Sequence, residues 1–128
     1  FCPRQFENVS NPLAHLKNTA PELEMCLLKR GFDNLDAFVA GAGTGGTIMG
    51  FYRYFSQINE DFQAFPVFPE NNSDGSHRIE GIGDSFVPEI LSLDELGPLM
   101  RVSDTDAIAV ARLINKNGLS VGNVAYVL

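Results

Sequence analysis

The chain has 128 residues, 45% hydrophobic and 20% charged, with 16 acidic against 9 basic residues and a formal net charge of −7. That length fits one domain or a piece of one, and the composition excludes a disordered chain. The acidic balance, with no cluster of Lys and Arg, argues against nucleic acid and anionic membrane surfaces as partners, and no apolar run approaches the ~18 residues of a membrane span.

Asn11-Pro12 opens the first predicted element, a helix over 12–30 that carries Leu23, Leu27 and Leu28 as a stripe and ends at Gly31. Asp36 to Ala40 is a short apolar run and reads as a buried strand. A glycine-rich turn follows from Gly41 to Gly46, then a helix from Thr47 to Ile58. Gln63 to Phe68 is a second strand, weakened as a central one by Pro66. After a polar loop from Pro69 to Ser76 come a tight glycine turn, Gly81-Ile82-Gly83, and a third strand, Leu99 to Val102. Ser103 caps a helix from Asp104 to Asn117, with Asp106 completing an imperfect capping box. Ile108, Ala111, Leu113 and Ile114 form its apolar side, Gly118 stops it, and Leu119 to Val121 reads as a last strand. Apolar strands alternating with helices predict an α/β fold: a Rossmann-like, three-layer domain with a parallel sheet. The chain starts at Phe1 rather than Met and stops in what reads as a helix opening, so the domain is expected to be incomplete.

The chemistry is concentrated in Phe38-Val-Ala-Gly41-Ala-Gly43-Thr44-Gly45-Gly46-Thr47. Ligands of parallel sheets sit at the carboxyl ends of the strands, where this turn lies. Glycines bring backbone N–H groups close to a ligand, and the helix that follows adds unpaired N–H groups and the positive end of its dipole. Thr44 and Thr47 add hydroxyls, so the loop is an anion cradle suited to phosphate. Gly41, Gly43 and Gly46 satisfy the dinucleotide pattern G-x-G-x-x-G, but the acid that would hold the ribose is Glu70, further on than the usual ~20 residues. No Lys follows the glycines, which excludes a P-loop.

Four segments resemble, in order, the cysteine synthase and cystathionine β-synthase family of fold type II pyridoxal-phosphate enzymes. They are Gln5-Phe-Glu-Asn8 with Asn11-Pro-Leu-Ala-His15 and Thr19-Ala-Pro-Glu22; Phe38 to Gly50; His77-Arg-Ile-Glu-Gly81-Ile-Gly83-Asp84 with Phe86-Val-Pro88; and Arg101-Val-Ser-Asp104 with Ala107 and Ala111-Arg112. The resemblance implies that residues 1–128 are the C-terminal part of the large cofactor-binding domain, with the N-terminal part absent. It implies pyridoxal 5′-phosphate as cofactor, with Gly43, Thr44, Gly45, Gly46 and Thr47 on its phosphate. Gly81 would lie beside the cofactor and incoming substrate, and Gln5 near the substrate carboxylate. The implied activity is β-replacement on an O-activated serine, as in cysteine synthase (O-acetylserine sulfhydrylase). Alternatives are a cystathionine β-synthase-like lyase, a non-catalytic remnant or binding module of the same fold, and a nicotinamide dinucleotide domain. The implied partners are an amino-acid substrate, the missing N-terminal half and, for the parent enzyme, a second copy in a homodimer.

The chain departs from this family in two places. The family's Schiff-base lysine sits in a Ser-x-Lys setting, whereas Lys17, Lys29 and Lys116 are the only lysines and all read as solvated helix residues. No catalytic residue is therefore assigned, and the chain alone is expected to be inactive. The family's serine loop near the end is replaced by Gly122-Asn123-Val124-Ala125, which reads as a deletion. No metal site is expected, because His15 and His77 lack partners at ligand spacing; His15 reads as structural and His77 as a loop residue. Asp104 and Asp106 read as helix-capping partners. Phe51, Tyr52, Tyr54 and Phe55 read as core packing. Cys2 and Cys26 read as reduced thiols of a cytoplasmic protein.

Overall fold

The computed structural model describes residues 1–70, 81–83 and 86–121. Helix α1 (Ser10–Ala14) runs without a break through a π-helical turn (His15–Thr19) into α2 (Ala20–Leu28). Pro21 explains the irregular turn: it has no N–H to return to Lys17, and the wider turn absorbs the break. Strand β1 (Ala37–Gly41) leads through the glycine turn into α3 (Gly46–Phe55), followed by β2 (Gln63–Pro69), a 3₁₀ turn (Leu93–Glu95), β3 (Met100–Val102) and α4 (Asp104–Lys116).

The strands form one parallel sheet in the order β1-β2-β3. Alternation along the strands divides the core between its two faces. Ala40, Ala64 and Phe68 pack with Ile48, Met49, Phe51 and Phe55 of α3. Val67, on the opposite face, packs with Ala107 of α4 and Ile82. Helices therefore cover both faces, giving the α/β three-layer architecture expected from the alternating pattern. Pro66 is fully buried and pairs with Ala40 across the sheet, so the proline lies inside β2.

Helix α4 begins as anticipated. Asp106 N–H donates to Ser103 Oγ at 3.1 Å, and the Ser103 hydroxyl donates to Asp106 Oδ2 at 2.8 Å. Its far end corrects one expectation: Leu119 to Val121 is not a strand. Leu119 N–H instead donates to Ile114 O at 3.2 Å, closing the helix through Gly118. The helix placed at 47–58 stops at Phe55, and Ser56 to Ile58 form a closing turn. His77, Asp84 and the Gly122-Asn123 junction lie outside the described residues. Both cysteines are free and exposed, and no described helix is long and apolar enough to cross a membrane.

Candidate functional site

Strand β1 ends at Gly41 with its carboxyl end toward the glycine turn. Ala42 ties that turn to its neighbours: its N–H donates to Val67 O at 3.0 Å, and its carbonyl accepts from Gly83 N–H at 3.1 Å. The turn at Gly81 is thereby held against the turn at Gly43. A Cβ at Gly43 would lie 2.4 Å from Gly81 O, so this approach requires glycine. Gly45, with a positive φ of 85°, is the N-cap of α3.

An open cleft of about 380 Å³ lies at this end of the sheet. It is lined by every residue nominated from the sequence: Gln5, Gly43, Thr44, Gly45, Gly46, Thr47 and Gly81. These come from three distant stretches of chain, and the carboxyl end of a parallel sheet is where they meet. Glu70, the acid that a dinucleotide site would call upon, does not line it. Lys17, Lys29 and Lys116 are exposed and do not line it either.

The cleft is rich in donors. Met49 N–H, bonded to Gly45 O at 3.0 Å, starts the helical ladder of α3. Among the described residues, the N–H groups of Gly43, Thr44, Gly45, Thr47 and Ile48 have no protein acceptor. Gly46 N–H reaches Thr44 Oγ1 at 3.3 Å. The α3 dipole adds to this concentration of positive partial charge, and among the described residues no charged side chain contributes to the lining. A compact anion with several acceptor oxygens fits this donor set.

Two residues behind the loop were not legible as site residues. Asn11 Nδ2 donates to Thr44 Oγ1 at 3.0 Å and to Gln5 O at 2.9 Å. His15, in the π turn, has Nε2 3.3 Å from Thr47 Oγ1 and Nδ1 3.0 Å from Thr19 Oγ1. Both reach the loop because α3 presents glycines to them: a Cβ at Gly46 would strike the Asn11 side chain, and one at Gly50 would lie 2.5 Å from His15 Cβ. The Asn-x-x-x-His spacing, one helical turn against glycines four apart, is the signal that could have found them.

Residues 1–126 match the family model described as pyridoxal-phosphate dependent enzyme. Cysteine synthase B of Campylobacter jejuni is 43% identical, the match covering 95% of this chain and 42% of that protein. A probable cysteine synthase of Bacillus subtilis is 36% identical over 95% of this chain and 41% of its own length. Among solved structures, a hydrogen sulfide-producing enzyme of Fusobacterium nucleatum superposes with a TM-score of 0.90 at 36% identity, covering 99% of this chain and 40% of that one. An O-acetylserine dependent cystathionine beta-synthase of Helicobacter pylori gives a TM-score of 0.85 at 34% identity, covering 99% of this chain and 42% of that one. The chain thus spans about two-fifths of the length of the curated relatives it matches.

Proposed function

The chain belongs to the pyridoxal-phosphate dependent enzyme family, and from that premise we propose that it forms the phosphate-binding wall of a cysteine synthase. The reading rests on one observation above all: the seven nominated residues line a single cleft with five backbone donors that have no acceptor among the described residues. That set fits a phosphate monoester. The N–H groups of Gly43, Thr44, Gly45, Thr47 and Ile48, with the two threonine hydroxyls, would hold its oxygens. Bound pyridoxal phosphate supplies an electron sink for the α-carbon of an amino acid. Gln5, at the rim, offers an amide to the substrate carboxylate. Gly81, whose side-chain direction is open space within 4 Å, leaves room for the substrate.

The reaction replaces an acyloxy group on the β-carbon of serine with sulfide: the Cβ–O bond breaks, the carboxylate departs and a Cβ–S bond forms. Residues 1–128 correspond to the C-terminal part of the large cofactor-binding domain. The lysine that anchors the cofactor aldehyde belongs to a segment outside them, since no lysine of this chain lines the cleft. The working protein is a cytoplasmic homodimer.

Steady-state assays of the full-length protein test this reading. Cysteine formation from O-acetylserine and sulfide is expected, with no turnover by residues 1–128 alone. Turnover by the 128-residue chain above a no-protein control would overturn the assignment of the lysine elsewhere. A second reading, a cystathionine β-synthase-like enzyme, is favoured by the likeness to the Helicobacter pylori structure. Preferential consumption of homocysteine over sulfide would establish it.

A further inference from the structure

The two threonines of the cleft differ from its backbone donors in one respect. An N–H can only donate, whereas a hydroxyl rotates, and toward an anion it helps only when its hydrogen points outward. The structure shows what decides this at Thr44. Gln5 O can only accept, so the Asn11 atom 2.9 Å from it is the amide nitrogen. The same Nδ2 lies 3.0 Å from Thr44 Oγ1, and Gly46 N–H approaches that oxygen at 3.3 Å. Both lone pairs of Thr44 Oγ1 are engaged, which leaves its hydrogen free to donate only elsewhere.

At Thr47 the arrangement is analogous. His15 Nε2 is 3.3 Å from Thr47 Oγ1, and Nδ1 is 3.0 Å from Thr19 Oγ1. With the proton on Nε2, Thr19 donates to Nδ1, His15 donates to Thr47, and Thr47 is left to donate onward. Every hydrogen in the row then points toward the cleft, the polarity that an anion there selects.

We propose that Asn11 and His15 are positioning residues which hold the hydroxyl hydrogens of Thr44 and, with His15 in its Nε2–H tautomer, Thr47 outward as donors to the cofactor phosphate. The inference rests on the cradle reading above and adds residues that do not themselves touch the ligand. Asn11 also fastens the segment bearing Gln5 to the phosphate loop through a single amide group.

The test uses the full-length apoprotein, titrated with pyridoxal 5′-phosphate, with pyridoxal, and with inorganic phosphate as competitor. The wild type should prefer the phosphorylated ligand; equal affinity for both would sink the cradle reading itself. Asn11→Ala is expected to weaken pyridoxal phosphate roughly tenfold, the range for losing a hydrogen bond to a charged group, while leaving pyridoxal unchanged. In a Thr44→Val background the same substitution should add nothing, because its effect passes through that hydroxyl. His15→Phe should pair in the same way with Thr47→Val. Asn11→Asp, of the same size but able only to accept and negatively charged, should lose at least as much as Asn11→Ala and guards against a packing explanation. Bound phosphate should also shift the ¹⁵N signals of His15 toward the Nε2–H tautomer. Equal losses for both ligands, or additive losses in the double variants, would overturn the proposal.

Discussion

Gly43 and Gly81 are both glycines of the cleft, and the reasons for them differ. At Gly43 the obstacle is contact: a methyl group would lie 2.4 Å from the carbonyl of Gly81. Gly43→Ala is expected to destabilise the fold by about 1–3 kcal/mol, as overpacking does, and to weaken phosphate binding with it. At Gly81 nothing lies within 4 Å of an added Cβ, but φ is +84°. Gly81→Ala should add backbone strain that costs only about 1–2 kcal/mol of stability in thermal unfolding. Its larger effect should be a raised KM for the amino-acid substrate with cofactor affinity retained. The glycines were visible in the sequence because turn and helix start are local. The roles of Asn11 and His15 were not, since their partners Thr44 and Thr47 lie 33 and 32 residues away. Asn11 read as a helix opening and His15 as a structural residue.

Between elements, the contact of α1 and the π turn with α3 sets the site geometry. Gly50 allows it: a Cβ there would lie 2.5 Å from His15 Cβ and 2.7 Å from Pro12 O. Gly50→Ala should push these helices apart, lowering the midpoint of thermal unfolding and weakening phosphate affinity although no ligand contact is touched. Further along, Tyr54 of α3 donates to Glu24 Oε2 of α2 at 2.5 Å. That hydrogen bond, with burial and the nearby carboxylate charge adding to it, raises the Tyr54 pKa above the ordinary 10.0. A phenol whose folded pKa is raised contributes stability that is present below 10 and is lost as pH climbs through the raised value. Ultraviolet titration should show a tyrosine ionising above pH 10 that disappears in Tyr54→Phe. Elements themselves were legible wherever period and caps agreed, as at Ser103. The π turn was not, because nothing in a 3.6-residue period announces the extra residue; only Pro21 hints at it. The last strand failed because Gly118 spends the amide of Leu119 on the helix end.

At the scale of the whole chain, the sheet and its apolar surface leave one side open. Among the described residues β1 pairs only with β2, and Val39 on it is 38% exposed. Leu23, Cys26, Phe38 and Phe51 line a shallow apolar surface beside it. Residues 1–128 expressed alone are expected to self-associate through this edge, seen as concentration-dependent mass in light scattering. Val39→Lys should return the chain toward monomer. The same accounting of charge bears on how a ligand arrives. The chain carries −7, yet the described residues of its cleft offer only neutral donors. On the proposed reading, an anion would meet a neutral described lining in an acidic chain, so its recognition should depend on short-range hydrogen bonds to the amides, where the spacing of oxygens matters more than total charge. Polyphosphates and nucleic acids, for all their charge, should have no advantage there over a single terminal phosphate. Selectivity for shape is thus what the proposed site should show, in a chain whose overall field discourages the indiscriminate binding of anions.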